Sequence, residues 1–476
     1  MFMDTRAQAK RLLGSFERTE RQGMLKTLGC ALLALAVVFL PGILGSEIFA
    51  TLPPGAMASL GIMVFAAALW VTEAMPAFAV ALLVIGLQIA ILGNPGGVWA
   101  PEGDTKAWTT FVEPWSSPTM WLFLGGFVLA HGCSKTQLDK WLAGMVLGRF
   151  ATSPAKLVAS VMAITFLFSM FMSNTATAAM MIAVTAPVLA GLPKESRLAK
   201  GLVLAVAAGA NLGGIGTIIG TPPNAIAAGQ LQGKIDFMKW MAIALPPALL
   251  LAAAVYLLIW RIYLRGGGEK PAINLDSSLE GDARQKRHRI TVMIVFAVTV
   301  AMWMGESLTG IPSPVVSFIP IVALAVSGVI GARDMRVLPW DVLLLLAGGL
   351  SLGVGVEVTG LAQWFASLVP GNLGILSIAA VFSLLGLFLS NLMSNTAAAA
   401  LLIPLASSLA GDADPSLIII SIAISCSAAM ALPISTPPNA IAHSTERLSS
   451  GDFLLPGLLA AAGMALVLPW LAFALR

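Results

Sequence analysis

Charged residues are scarce in this chain. Only 11% of its 476 residues are Asp, Glu, Lys or Arg, whereas 58% are hydrophobic, and the mean hydropathy is +0.90. A soluble globule of this length needs more polar surface than such a composition supplies, which excludes an ordinary soluble fold. The composition therefore predicts an all-α polytopic membrane protein, whose helices must cross about 30 Å of hydrocarbon.

Cysteine and histidine are also scarce, with three residues of each. The cysteines lie in or beside apolar runs and form no CxxC pair, which argues against a disulfide framework and against a zinc site. The histidines are scattered and have no paired carboxylates nearby, whereas an intramembrane enzyme would need such a catalytic constellation. We therefore expect a protein that is not an enzyme.

The N-terminal residues do not have the pattern of a cleavable signal peptide. The first 26 residues are hydrophilic, carry six basic residues and contain no short apolar core. We expect a cytoplasmic, partly helical tail over residues 1–27, followed by a signal-anchor span. The net charge of +4 does not indicate a nucleic-acid partner, because the basic residues are spread over short connections between apolar runs.

Apolar runs predict eleven transmembrane helices. They lie at about 28–44, 56–71, 78–92, 119–133, 197–214, 240–263, 291–305, 315–331, 341–356, 416–432 and 453–475. Two further apolar stretches, 155–192 and 373–410, carry Ser-Asn-Thr at their midpoints, and we expect re-entrant hairpins with this tripeptide at the tip. If the N-terminus is cytoplasmic and the C-terminus outside, 23 of the 27 Lys and Arg residues lie on the cytoplasmic side, as the positive-inside rule requires.

Two motifs occur twice in the chain. Met-Ser-Asn-Thr-Ala at Met172–Ala176 recurs at Met393–Ala397, and Thr-Pro-Pro-Asn-Ala-Ile-Ala at Thr221–Ala227 recurs at Thr436–Ala442. Five predicted spans separate the hairpins, so the second half of the chain should be inverted relative to the first. Doubled, interrupted apolar segments in inverted repeats indicate the midplane binding site of a transporter.

The second motif predicts a helix break in the middle of the membrane. Its threonine suits a helix N-cap and its first proline suits the first helical position, so half-helices should begin at Pro222 and Pro437. Such helix starts, like the second hairpin arms near Thr175 and Thr396, present free N–H groups and a positive dipole end to an anion. A single Ser-Asn-Thr in a membrane helix more often forms a helix–helix contact, and a single Pro-Pro more often marks a kink. Because both motifs recur at matched positions, we favour a binding site.

The four segments contain no Lys, Arg or His, so a bound dianion would lack a fixed counter-charge. Co-bound cations would supply that charge, one for each repeat. Serine hydroxyls, asparagine amides and carbonyls freed by unwinding suit Na⁺ and offer nothing to a soft metal. Glu73 also lies in apolar surroundings, but its place at a span end is more simply explained by proximity to the interface.

The chain resembles the divalent anion:sodium symporter (DASS) family in both Ser-Asn-Thr motifs, both Thr-Pro-Pro-Asn loops and the WxTEAxP stretch at Trp70–Pro76. The resemblance implies a homodimer and an elevator-type movement of a transport domain against a scaffold domain. It implies the following organisation: tail 1–27, scaffold 28–150, transport part 151–264 with the inner hairpin, cytoplasmic linker 265–290, scaffold 291–370, and transport part 371–476 with the outer hairpin.

The resemblance also implies the site residues by motif match. Substrate carboxylates would meet Asn174, Thr175, Thr221, Pro222, Asn395, Thr396, Thr436 and Pro437. The sodium ions, two or more, would be held by Ser169, Ser173, Asn174 and Gly220 in the first half, and by Ser390, Ser394, Asn395 and Ser435 in the second half.

The expected function is Na⁺-coupled symport of C4-dicarboxylates such as succinate, malate or fumarate across the cell inner membrane. A sulfate or tricarboxylate carrier, and a sodium-independent dicarboxylate exchanger of the same family, remain alternatives. An exchanger would be expected to carry a basic side chain in place of a cation, and the neutral motifs favour cation coupling.

Overall fold

The structure, a computed structural model, describes residues 2–43, 45, 49, 51–94, 98, 105–150, 153–265, 282–368, 374–410 and 413–475. Over these residues the chain is helical and contains no β-strand, in agreement with the predicted fold class. The α-helices are α1 (Phe2–Ile43), α2 (Pro54–Thr72), α3 (Ala77–Leu87), α4 (Pro118–Lys135), α5 (Leu138–Phe150), α6 (Pro154–Ser169), α7 (Asn174–Ala190), α8 (Arg197–Gly214), α9 (Pro222–Gln230), α10 (Phe237–Ile259), α11 (Ala283–Met304), α12 (Glu306–Thr309), α13 (Ser313–Val316), α14 (Phe318–Val326), α15 (Ala332–Arg336), α16 (Trp340–Val358), α17 (Leu361–Leu368), α18 (Ile375–Ser390), α19 (Asn395–Ser408), α20 (Ser416–Ala428), α21 (Pro437–Ser444) and α22 (Gly451–Ala474).

Six helical segments among the described residues are long and apolar enough to cross a bilayer. They are Gln22–Ile43, Pro54–Thr72, Phe237–Leu264, Ala283–Met304, Trp340–Val358 and Gly451–Ala474. The predicted spans 78–92, 315–331 and 416–432 and the hairpin arms correspond to shorter apolar helices. The predicted spans 119–133 and 197–214 correspond to α4 and α8. The chain is therefore a polytopic membrane protein, and the count of eleven spans stays a prediction. Most of the predicted linker, residues 266–281, lies outside the described residues.

Each Ser-Asn-Thr motif separates two helices. Helix α6 ends at Ser169 and α7 begins at Asn174, while α18 ends at Ser390 and α19 begins at Asn395. The serine of each motif is the N-cap of the second helix, since Ser173 Oγ accepts a hydrogen bond from the Ala176 amide and Ser394 Oγ accepts one from the Ala397 amide. Two helices joined by a turn are therefore present at both motifs, while the re-entrant placement of these hairpins in the membrane stays a prediction.

The predicted helix breaks are also present. Helix α8 ends at Gly214 and α9 begins at Pro222, and α20 ends at Ala428 before α21 begins at Pro437. Each short helix packs against elements of the other half: α9 lies against α19 and α20, and α21 lies against α7 and α8. The two halves therefore interlock at the breaks.

A cationic side chain from the second half stabilises the first hairpin. The Arg447 guanidinium, just after α21, donates hydrogen bonds to the carbonyl oxygens of Leu189 at 2.6 Å and Pro193 at 2.8 Å. Leu189 lies in the last turn of α7 and Pro193 lies three residues beyond its end, where a cation is favoured by the helix dipole. Arg447 thus holds the end of one hairpin arm from the other half of the chain.

Replacing Arg447 with methionine is expected to lower the free energy of unfolding by about 1.5–3 kcal/mol, because the charge-assisted hydrogen bonds to the Leu189 and Pro193 carbonyl oxygens are lost. Thermal unfolding in detergent, followed by tryptophan fluorescence, measures the change. The matched control is Glu446→Gln, which removes the neighbouring pair between Glu446 and Lys194, whose side chains are 74% and 62% exposed. An exposed ion pair contributes little, so equal effects of the two variants would contradict the assignment.

Candidate functional site

Four oxygen-bearing groups meet at the first hairpin tip. Ser169 is fully buried and its Oγ donates to the carbonyl oxygen of Ala210 at 2.6 Å. The Asn174 amide lies against the same carbonyl, against the Gly220 carbonyl and against Ser169 Oγ. With its nitrogen facing them, it donates at 3.2, 3.2 and 2.7 Å respectively. The arrangement brings together Ser169, Asn174 and Gly220, three of the predicted cation ligands, and adds the Ala210 carbonyl.

The surrounding acceptors determine the orientation of the Asn174 amide. With the nitrogen inward, each of its three contacts is a hydrogen bond, whereas Oδ1 in that place would face the carbonyl oxygens of Ala210 and Gly220 without a proton between them. The Oγ of Ser169 and these two carbonyl oxygens are hard oxygen atoms of the kind that a small hard cation prefers. The tip therefore gathers three candidate oxygen ligands around one amide.

The second half contains buried side-chain oxygen atoms that lack partners. Within the described part of the chain, Ser425 Oγ and Asn395 Oδ1 are buried without a hydrogen-bond partner, and Ser390 Oγ has at most the weak thiol of Cys426 beside it. Counted from the recurring Thr-Pro-Pro-Asn and Ser-Asn-Thr motifs, these three residues stand where the first half has Ala210, Asn174 and Ser169. A buried oxygen without a partner costs about 1–3 kcal/mol, so the second half holds unpaired oxygens at the positions that are hydrogen-bonded to one another in the first half.

Ser435, also predicted as a cation ligand, is bound differently. Its Oγ donates to Asn391 Oδ1 at 2.8 Å and accepts a hydrogen bond from the Leu432 amide at 3.0 Å. Asn391 also accepts from the Ala431 amide at 2.9 Å. The sequence analysis did not include Asn391, which stands where the first hairpin has Met170, so the two halves do not hold their loops identically.

The four predicted threonines and two prolines divide into two groups. Thr221 and Thr436 are buried, at 3% exposure each, and both hydroxyl groups are hydrogen-bonded. Thr221 Oγ1 pairs with Ser427 Oγ at 2.8 Å, while Thr436 Oγ1 accepts a hydrogen bond from the backbone N–H of Asn439 at 3.3 Å. Only Thr436 therefore caps its helix with its side chain as predicted. The other four are partly or fully exposed: Thr175 and Pro437 are exposed, and Thr396 and Pro222 are half-buried.

Two asparagines that the sequence analysis left out of the site hold the broken loops in shape. Asn224 Nδ2 donates to the carbonyl oxygens of Gly214 at 2.9 Å and Thr217 at 2.8 Å. Asn439 Nδ2 donates to those of Met430 at 2.9 Å and Leu432 at 2.8 Å. Both are the asparagine of a Thr-Pro-Pro-Asn motif, so its recurrence was the signal that could have identified them.

Carboxylate, thiol and imidazole side chains are dispersed in the described part of the chain. No group of three His, Cys, Asp or Glu side chains that could hold a metal ion is found there. Glu73 is exposed and ends α2 in a left-handed conformation, with φ of 49°.

Comparison with known proteins identifies relatives over most of the chain. Residues 67–423 match the citrate transporter family, CitMHS. The chain is 30% identical over 436 residues to the sodium-dependent dicarboxylate transporter SdcS of Staphylococcus saprophyticus, covering 82% of this chain and 80% of the relative. It is 31% identical over 434 residues to an uncharacterized transporter of Haemophilus influenzae, covering 85% and 89%.

A solved structure shows a similar fold. The crystal structure of the YdaH transporter of Alcanivorax borkumensis, described as having an unusual topology, aligns with a TM-score of 0.55 at 14% sequence identity, covering 86% of this chain and 98% of that one. At this identity the likeness concerns the fold alone. Taken with the family match, these comparisons show that the chain belongs to the citrate transporter family, of DASS type, and is a membrane transporter rather than an enzyme.

Proposed function

We propose that this protein is a secondary active symporter that couples the entry of C4-dicarboxylates, such as succinate, malate or fumarate, to the sodium gradient. The observation that carries the proposal is the cluster at the first hairpin tip, where the Asn174 amide lies among the oxygens of Ser169, Ala210 and Gly220. The name of the Staphylococcus relative, a sodium-dependent dicarboxylate transporter, supports the same coupling and the same substrate class.

Sodium would bind once in each half. In the first half it would replace the Asn174 amide N–H, with Ser173 completing the set; in the second half it would satisfy the unpaired oxygens of Ser390 and Asn395, with Ser394 and the Ser435 loop nearby in the chain. Two ions carry the charge needed to neutralise a dianion, which the uncharged motifs cannot do. The number of ions per substrate is then at least two.

The substrate carboxylates would bind at the helix starts of the hairpins and breaks. The first N–H groups of α7 and α19 are free of intrahelical partners, and each helix dipole favours an anion there. Thr175 and Thr396, the second residues of these helices, are accessible enough for their hydroxyl groups to donate a hydrogen bond to a ligand. Because the side chains of Thr221 and Thr436 are buried and engaged, their loops would contribute through backbone groups, while Pro222 and Pro437, which have no N–H, would fix the helix starts.

The mechanism proposed is an elevator movement in a homodimer of the inner membrane, with the N-terminus in the cytoplasm and the C-terminus outside. Residues 28–150 and 291–370 would form the scaffold, while residues 151–264 and 371–476 would move. The contacts of α9 with α19 and of α21 with α7 join the moving parts of the two halves, as a domain that moves as one body requires. Inverted repeats supply the two mirror-related states.

Uptake into proteoliposomes tests the proposal. Labelled succinate should accumulate when sodium is outside, and should fall to the level of protein-free vesicles when choline replaces sodium. Succinate uptake that is indifferent to sodium but needs an internal dicarboxylate would establish an exchanger instead. Unlabelled malate, fumarate, citrate and sulfate should be added as competitors. The family name makes a tricarboxylate the second candidate substrate. Stronger competition by citrate than by malate or fumarate would favour a tricarboxylate carrier.

A further inference from the structure

Hydrogen bonds join the two broken loops across the halves of the chain. Asn211, in α8, donates from Nδ2 to Oδ1 of Asn439 at 2.9 Å. In the reverse direction Ser427, in α20, pairs with Thr221 Oγ1 at 2.8 Å and lies 3.5 Å from Asn224 Oδ1. All of these side chains are at most 3% exposed. Each half therefore supplies one polar residue to the loop of the other half.

The partners of these bonds are the asparagines that shape the loops. Asn439 accepts from Asn211 on its oxygen and donates from its nitrogen to the carbonyls of Met430 and Leu432. Asn224 uses its amide in the same way, with Ser427 on the oxygen side. An amide that accepts a hydrogen bond in a low-dielectric interior is polarised and becomes a stronger donor. The bridging residue from one half therefore strengthens the hydrogen bonds by which the asparagine of the other half holds its own loop.

The bridging residues also lie beside the candidate cation ligands of their own half. Asn211 directly follows Ala210, whose carbonyl oxygen belongs to the first cluster. Ser427 lies two residues after Ser425, whose hydroxyl is buried without a partner. A rotation or shift of α8 that accompanies cation binding at Ala210 would thus move Asn211 against the second loop, and movement of α20 would act on the first loop.

We propose that Asn211 and Ser427 are positioning residues that couple the two cation sites, so that sodium bound in one half preorganises the loop of the other half. The inference rests on the proposed function and adds a physical connection to it. Energetic coupling between two sites requires an element whose state both sites influence. Here that element is the pair of reciprocal bridges, Asn211–Asn439 and Ser427–Thr221.

The test is the sodium dependence of transport and of stability in a Ser427→Ala variant. Wild-type succinate uptake should rise with sodium with a Hill coefficient above 1. In the variant the coefficient should fall towards 1, and the half-saturating sodium concentration should rise about tenfold, within the usual range of coupling energies. Sodium-induced thermal stabilisation without substrate, which depends only on binding to the folded state, should lose its sigmoidal dependence in parallel.

A matched control is available in the same helix. Ser421 is also fully buried in α20, but its Oγ donates only to the local carbonyl oxygen of Ile418 at 2.9 Å. Ser421→Ala should keep the wild-type Hill coefficient, and Ser427→Thr, which retains the hydroxyl, should restore it. Asn211→Ala is the second test variant, because it breaks the other bridge and should reduce the coefficient in the same way.

The outcomes separate the two proposals. If wild-type uptake does not depend on sodium, the proposed function fails and the coupling fails with it. If wild-type uptake is sodium-dependent with a Hill coefficient of 1, or if Ser427→Ala and Asn211→Ala keep the cooperativity of the wild type, the coupling is overturned while symport stands. An equal loss of cooperativity in Ser421→Ala would also overturn it, because the effect would then be a general consequence of losing a buried hydroxyl.

Discussion

Alanine in place of Asn174 is expected to reduce sodium-dependent succinate uptake about 100-fold or more, to the background of empty vesicles. The variant removes the side-chain amide that lies among the oxygens of Ser169, Ala210 and Gly220 at the first tip. Even residues that merely support a metal ligand typically cost 10–100-fold in affinity when replaced, so loss of a ligand should cost at least as much. Initial uptake rates in proteoliposomes measure the effect.

Asn94→Ala is the matched control for this variant. Asn94 is exposed at the end of the helical segment that follows α3, and its Nδ2 donates to the local Ala90 carbonyl oxygen at 2.7 Å. Uptake by this control should match the wild type. Wild-type uptake by Asn174→Ala, in protein that elutes as a single folded species, would refute the assignment of the first cation site.

Alanine in place of Asn395, the equivalent residue of the second half, should abolish uptake as Asn174→Ala does, but the two variants should differ in stability. Asn395 Oδ1 is buried and, among the described residues, has no hydrogen-bond partner. Removing an unsatisfied oxygen relieves its desolvation cost, whereas removing the bonded amide of Asn174 leaves acceptors unpaired. In sodium-free buffer, Asn395→Ala should therefore unfold at a temperature close to that of the wild type, and Asn174→Ala at a lower one.

The helix boundaries of the site could be predicted from sequence because local chemistry determines them. Proline has a fixed φ and no N–H to leave unpaired, so it begins a helix readily, and α9 and α21 begin at Pro222 and Pro437 as predicted. The second hairpin arms begin one residue before the predicted Thr175 and Thr396 because the preceding serine is the N-cap. Such features depend on neighbouring residues alone.

The partners across the site could not be predicted in this way. Thr221 was expected to face the substrate, but its hydroxyl pairs with Ser427, 206 positions away, and Asn211 and Asn439 are 228 positions apart. No periodicity links residues at such separations. The Ala210 carbonyl was missed for a different reason: a backbone oxygen becomes a candidate ligand through the packing of α6 against α8, and alanine itself carries no chemical signal.

Tight packing around Gly214, at the break between α8 and α9, leads to a second large expected effect on uptake. Gly214 is the last residue of α8, and a Cβ added there would lie 2.5 and 3.0 Å from the two terminal atoms of the Asn174 amide and would overlap the Thr221 methyl group. Alanine favours a helix over glycine by about 1 kcal/mol. The clash outweighs this gain, because the methyl group takes the space of the amide that the cation site requires.

Gly214→Ala should therefore abolish sodium-dependent uptake and eliminate the thermal stabilisation by sodium, although it adds only one methyl group. Gly86→Ala is the control: Gly86 lies inside α3, and a Cβ there would meet no atom within 4 Å, so helix propensity alone should make that variant as stable as the wild type or slightly more stable. Normal sodium-dependent uptake by Gly214→Ala would mean that the Asn174 amide can leave this position without consequence. The cation site would then have to lie elsewhere, since the proposed site requires the Asn174 amide to stand among the oxygens of Ser169, Ala210 and Gly220.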